Sequence, residues 1–416
     1  MKKIQKGLLT CGLVTILAIS GFGALPAIQA DTGDIPIDAA HFPDATFREW
    51  LKQGTTAGVD GSGDIFQNID TNQDGVLSQT ERDETVTMMG LTAKESVAGI
   101  ENFTHLKKID CNPNITGQYD FSHVLSLENL KVPADAKAIT VGALPNLHTL
   151  NVVNYAGTPV DISQLANLER YVGWYSQSYA GQLRKIDFSG NPKLKEISLM
   201  NARVQEVNVQ NNPELVEFTA PINDLKTLDL SNNKKLQLIN LSDNPELTDF
   251  KTGTLPELKI MNILDLALFN LDMSNYPKIE ELYAARIGAT ALDFSNNPAL
   301  KYLELRGNHL TTLDLSNQTK LETLIAQNNQ LTQVMLPRTN TLTEVGLNDN
   351  QLTGLNLGDA PKLVTLGLNR NKLSAITLSA NPNLVSLGVA NNELITLNLS
   401  NNPLLVHLLA DNNHLT

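Results

Sequence analysis

The residues best suited to chemistry stand together in DTNQDGVLSQTE, Asp70 to Glu81. Asp70, Asn72 and Asp74 place oxygen donors at alternate positions, and Gly75 permits a sharp turn. Val76 presents a backbone carbonyl, Ser78 offers a direct or water-bridged oxygen, and Glu81 can close the shell with both carboxylate oxygens. Hard oxygen donors in this order form a complete EF-hand loop and predict one Ca2+ site. No second full loop accompanies it: Asp60, Ser62 and Asp64 start the same rhythm, but Ile65 replaces the glycine and Thr71 the closing carboxylate. An unpaired site is expected to bind weakly, with a Kd of about 10⁻⁴ to 10⁻³ M, which suits a structural ion outside the cell better than a signal sensor.

The start of the chain points outside the cell as well. Lys2, Lys3 and Lys6 precede an apolar run from Leu8 to about Leu25, and AIQA ends on the small Ala30, so residues 1–30 read as a secretory signal peptide. Gly12, Gly21, Gly23 and Pro26 interrupt the run and argue against a membrane anchor; no transmembrane segment is expected after cleavage. The formal net charge is −13, and more acidic still without the leading lysines. With no basic stripe to release counterions, nucleic acid is excluded as a partner. Of the two cysteines only Cys111 follows the signal segment, so no intramolecular disulfide can form.

The elements that hold these residues emerge when the sequence is laid against itself. From Leu194 an apolar residue recurs at Leu215, Leu236, Leu258, Ile279, Leu300, Leu321, Leu342, Leu363, Leu384 and Leu405, a period of 21 with a single step of 22. The unit LKYLELRGNHLTTLDLSNQTK, from Leu300 to Lys320, matches L-x-x-L-x-L-x-x-N-x-L and marks a leucine-rich repeat. Leu300, Leu303, Leu305 and Leu310 should point inward while Tyr302 and Glu304 point out, so that each short strand buries its apolar side only by stacking on the next. Asn308 recurs at 329, 350, 371, 392 and 413, where a buried amide can satisfy backbone groups left open by the turn; Leu266 and Ile287 replace it in two coils. In the second half, pairs such as Leu313 with Leu315, Leu355 with Leu357, Ile376 with Leu378 and Leu397 with Leu399 alternate at period two and predict extended convex strands.

The expected fold is thus a β-rich solenoid: a right-handed leucine-rich repeat coil with a concave parallel sheet, extended convex strands and a small helical, EF-hand-bearing cap. The expected divisions are the signal segment, a cap over 31–104, irregular repeats over 105–193, in which Cys111 fills a leucine slot as a buried, inert thiol, and regular repeats over 194–416. Phe47, Trp50 and Leu51 form an apolar helical face that should cover the raw edge of the first coil. Thr416 falls within a unit with no capping sequence or sorting signal after it, which suggests the front of a longer protein or a secreted product with an open end.

These repeats, together with HFPDATFREWL, the calcium loop and GIENFTHLKKIDC ahead of them, resemble the short-unit bacterial leucine-rich repeats of Gram-positive surface and secreted proteins, broadly similar to internalins. The internalins proper differ in unit length and second half, so no particular receptor carries over. The resemblance implies recognition of a protein or glycan on another cell or matrix, and a secreted or cell-surface location in a Gram-positive bacterium. A partner would meet strand positions three, five, seven and eight of each unit. Two groups break their small polar monotony: Arg170, Trp174 and Tyr175, and then Ile260, Leu264, Glu281, Tyr283, Arg286, Tyr302, Glu304, Arg306 and Ile325 from four successive strands. Aromatic and arginine anchors are the usual substance of binding hot spots.

Catalysis finds no support: there is no H-E-x-x-H, no G-x-S-x-G and no phosphate-binding glycine loop. Asp272, Asp293 and Asp314 recur on the convex segment and read as a solvated face rather than a metal shell. Two alternatives to an adhesin stand beside it: a calcium-dependent assembly module that uses the loop as a dockerin does, and the front of a larger exported enzyme.

Overall fold

The computed structural model describes residues 33–53, 68–112, 116–132, 136–152, 159–174, 184–268 and 271–416; the signal segment, the Asp60–Asp64 stretch and Tyr175 lie outside these. Within them, sixteen parallel strands form one sheet in chain order, from Thr87–Leu91 to His407–Leu409. Each strand is one unit's contribution. In the unit that begins at Leu300, the side chains of Leu300, Leu303, Leu305 and Leu310 are fully buried, and Tyr302 faces outward, half-buried. Strict 21-residue spacing brings equivalent residues side by side, so Glu281 pairs with Tyr302, Tyr302 with Thr323 and Thr323 with Glu344. The fold is a leucine-rich repeat solenoid, with Cys111 buried as a free thiol whose pKa burial pushes up.

Convex strands form over part of the length. Lys185–Asp187, Glu206–Asn208, Thr227–Asp229 and Asp249–Lys251 make one four-stranded sheet, and Thr312–Asp314 pairs with Gln333–Met335. The expected strands at Leu355–Leu357, Ile376–Leu378 and Leu397–Leu399 are not paired. Their coils keep backbone bonds at the entry, such as Lys372 N–H to Leu352 O at 2.9 Å, and form no ladder beyond it. The outer circumference of a curved coil is the longer one, so neighbouring segments there separate beyond ladder spacing first.

Two amide ladders hold the turns. Asn308 is 3% exposed; its Oδ1 accepts from Ile287 and Ala289 N–H, and its Nδ2 donates to Ala284 and Leu305 carbonyls, all at 2.9–3.1 Å. Asn223 and Asn244 play the same part earlier in the chain. The second ladder, just before the first leucine of a unit, is a finding of the structure. Asn191, Asn212, Asn233, Asn297, Asn381 and Asn402 are buried, and Nδ2 of Asn212, for example, donates to Asn191 O and Phe188 O in the coil behind. Its sequence trace is the Asn-Pro that closes many units.

The cap covers the first coil as its apolar face requires. A helix, α1, spans Ala45–Gln53 and buries Phe47 and Leu51 completely, with Phe42 edge-on to Phe47 and Trp50 stacked on it. Asp44 joins this helix to the solenoid. Its Oδ1 accepts from Phe47 N–H at 2.8 Å, and its Oδ2 accepts from the N–H groups of Lys94, Glu95 and Ser96 at 3.0, 2.6 and 3.3 Å.

Candidate functional site

The register gathers most of the second aromatic group onto one stretch of the concave sheet. Ile260 lies beside Glu281, Glu281 beside Tyr302, Tyr283 beside Glu304, and Glu304 beside Ile325. At the centre, the rings of Tyr283 and Tyr302 pack with centroids 4.7 Å apart and planes tilted by 31°. The Tyr283 hydroxyl donates to Glu281 Oε2 at 3.0 Å, which fixes the ring in place. Burial first, then the bond to Glu281 and its charge, push the Tyr283 phenol up to about 12. Tyr302 is raised too, by burial and then by Glu304 and Glu344. Glu344, two strands beyond Tyr302, is legible only in the fold, because an exposed glutamate in one unit carries no signal until register places it.

Other expected members sit differently. Glu304 is on the outer face yet only 7% exposed, because Arg306 folds over it in an ion pair; it is a buried support and not a free surface charge. Arg286 is held by Asp265 through Nε and an Nη at 2.5 and 2.6 Å, along the rim of the face. Ile260, Leu264 and Ile325 are half-buried between these groups. Arg170 pairs with Glu196 at 2.8 Å, and Trp174 is 46% exposed with its indole N–H on Ser198 Oγ. That first group lies five strands from Glu281, about 24 Å at ordinary strand spacing, so it forms a separate patch.

The eighth position of the unit turns out to be a turn residue rather than a strand position. Asn201, Asp243, Asp265, Arg286, Asn328, Asp349, Arg370, Asn391 and Asn412 all have φ between 51° and 63°, and Gly307 has 71°. Asn, Asp and Gly tolerate this left-handed region, so their recurrence there reflects backbone geometry. Arg286 and Arg370 depart from this choice, and Ile222 departs furthest, a β-branched residue at φ 56° that is also 48% exposed. Replacing Ile222 by Asn is expected to stabilise the protein by about 1 kcal/mol, read as a higher urea midpoint with unchanged m-value. A lower midpoint would show that Ile222 makes packing contacts worth more than its strain.

In the calcium-type loop, Asp70 is 1% exposed. Its two oxygens accept from Asp74 and Gly75 N–H, Asn72 Oδ1 accepts from Asp74 N–H, and Asp74 Oδ1 accepts from Val76 N–H. Gln73 and Gly75 adopt φ of 57° and 79°, the turn that this glycine allows. Val76–Leu77 pairs antiparallel with Ile35–Pro36, and Ser78 caps the helix Gln79–Glu84 in a reciprocal box with Glu81. Both Glu81 oxygens are engaged, one by Thr71 and one by Ser78, which together outweigh burial and hold this carboxyl below its ordinary value. Among the described residues no three His, Cys, Asp or Glu side chains are gathered into a metal-holding group. The donor types along the loop fit a hard cation, and Glu81 would have to exchange Thr71 and Ser78 for it.

On the convex side Asp272, Asp293 and Asp314 each accept from the backbone N–H two residues on, at Ser274, Ser295 and Ser316. They are turn-forming side chains, which accounts for their repetition without a ligand.

No family model and no curated protein matches the chain. Among solved structures it is similar to the functional domain of InlJ from Listeria monocytogenes, at 20% identity and TM-score 0.64, over 88% of this chain and 78% of that one. It is similar also to a leucine-rich repeat protein of Leptospira interrogans, at 20% identity and TM-score 0.55, over 81% of this chain and 93% of that one. At these identities the likeness establishes the leucine-rich repeat fold. The InlJ domain includes a cysteine ladder, whereas this chain has two cysteines in all and builds its ladders from amides. No helix among the described residues is long and apolar enough to cross a membrane.

Proposed function

We propose that this protein is an exported leucine-rich repeat binding protein, a surface adhesin that recognises a protein or glycan on another cell or matrix through its concave face. The observation that carries the reading is the Tyr283–Tyr302 stack, a rigid aromatic anchor with a tethered hydroxyl on the concave sheet. Export to the surface of a Gram-positive bacterium is supported by the basic and then apolar start of the chain. Exchanging both Tyr283 and Tyr302 for alanine should weaken binding to target cells at least tenfold while secretion and circular dichroism stay unchanged. Unaltered cell binding would remove the stack from the recognition face.

Calcium has a structural part in this proposal. Asp70, Asn72, Asp74, the Val76 carbonyl, Ser78 and Glu81 would hold one ion and thereby lock the loop, the capped helix after it and its pairing with Ile35–Pro36. Millimolar calcium should therefore raise the melting temperature of the cap, and Asp70→Ala should abolish that rise. Loss of partner binding in Asp70→Ala with melting unaltered would instead put the ion at the partner.

A further inference from the structure

We propose that the Tyr283–Tyr302 stack receives a lysine or arginine side chain from a basic segment of a partner protein, with the cation over Tyr302 and Glu281 and Glu344 as its counter-charges. This rests on the concave-face reading above and names the chemistry of its ligand.

The charge around the rings is one-sided. Glu281, Glu304 and Glu344 all act on Tyr302, and Arg306 is the base that opposes them. Arg306 is already committed to Glu304. Glu281 and Glu344 form no ion pair among the described residues, whereas Glu196 pairs with Arg170 and Glu280 with Lys301. Two carboxylates with no cation partner, Glu281 holding the Tyr283 hydroxyl, therefore bracket an aromatic pair. The rings themselves suit a cation: the Tyr283 hydroxyl donates to a carboxylate, which enriches its π-system, and a face of negative potential attracts ammonium or guanidinium.

On the other side of Tyr302 its neighbour along the row is the small Thr323. Beyond Thr323 comes Glu344, and along the next row come Ile325 and then Gly346, over which the Gln327 side chain lies. A Lys or Arg stem can lie on half-buried Ile325 while its head reaches between Tyr302 and Glu344. A neutral sugar could stack on the rings but would leave both carboxylates unanswered, and an acidic one would be repelled.

The test uses the full secreted chain and two probes, decalysine and the same peptide with every lysine acetylated, titrated by calorimetry at low salt. Decalysine should bind and its acetylated form should not. Tyr302→Leu and Glu344→Gln should each weaken binding about fivefold, and Tyr302→Phe should retain it. Glu217→Gln, on the same row but four strands from Tyr302, should change binding less than twofold. Equal weakening by Glu217→Gln, reflecting general attraction to an acidic chain, would overturn the proposal, as would binding that is indifferent to Tyr302 and Glu344. If the tyrosine double variant abolishes cell binding while decalysine ignores the stack, the concave-face reading stands and the cationic ligand falls. If cell binding itself survives that double variant, the concave-face reading falls.

Discussion

Asn308→Ala is expected to lower stability by about 4 kcal/mol. The amide closes four hydrogen bonds at once, to Ile287 and Ala289 N–H and to Ala284 and Leu305 carbonyls. Alanine leaves the Ile287 and Ala289 N–H groups and the Ala284 carbonyl unanswered in a site that is 3% exposed, at roughly 1–3 kcal/mol for each group that water cannot reach, while Leu305 O keeps its bond from Asn329 Nδ2. Three of the four partners belong to the preceding coil, so the loss falls on one interface between neighbours, the quantity that holds a solenoid together. Urea unfolding should show a lower midpoint, and a smaller m-value if the two halves now separate at that interface. Asn308→Asp is the sharper control: its oxygens still accept, but an ionised carboxylate faces two carbonyls. Burial there raises the folded-state pKa, so the Asp variant should regain stability as pH falls through that raised value. Wild-type stability in Asn308→Ala would mean that the ladder is ornamental and that leucine packing alone sets the turns.

Asp44→Ala is expected to cost about 3 kcal/mol and to loosen the cap selectively. This carboxylate is 7% exposed and answers four backbone N–H groups, one at the start of α1 and three in the segment Lys94–Ser96. Burial on its own would raise its pKa, but the N–H donors of Glu95, Phe47, Lys94 and Ser96 outweigh it and hold the carboxyl below its ordinary value. The folded protein therefore binds fewer protons here than the unfolded chain. The contribution is fully present above the unfolded carboxylate pKa of about 4 and is lost as pH falls through the lower folded value. Glu81 is depressed in the same sense, so the cap should be the acid-sensitive end of the molecule. Hydrogen exchange resolved by segment would show protection lost over residues 45–53 and 94–96 below pH 4, with the coils after 194 less affected, since Asp229, Asp272, Glu280 and Asp293 are depressed there too but stand near the surface, where solvent screens them. Asp44→Asn should remove the Asp44 share of that pH dependence; an unchanged acid profile would assign it to Glu81 or another carboxylate.

Much of the molecule is legible in its leucines. A 21-residue period leaves one way to bury every first, fourth and sixth residue, and from that alone follow the parallel sheet, its register and the neighbours Glu281, Tyr302 and Thr323. Asn308 and its repeats could be assigned to the turn because a polar residue in so apolar a frame must be satisfied. The second ladder escaped because Asn before Pro at a unit boundary looks like ordinary loop composition until its amide is seen to donate into the coil behind. The convex segments show the opposite failure: alternation at period two reports which residues face inward, and it does not report whether neighbouring backbones come close enough to pair.

The same division runs through the candidate site. Chemistry and spacing are local properties, so the oxygen donors from Asp70 to Glu81 and the aromatic residues at outward strand positions can be read from a string of letters. Commitment is not local. Only the folded chain settles that Arg306 is spent on Glu304, that Arg286 is spent on Asp265, and that Glu81 is turned onto Thr71 and Ser78. It alone places the two tyrosine rings in contact between carboxylates that have no cation, because ion pairs and stacks depend on side-chain directions across strands, and periodicity encodes the strands' order but not those directions.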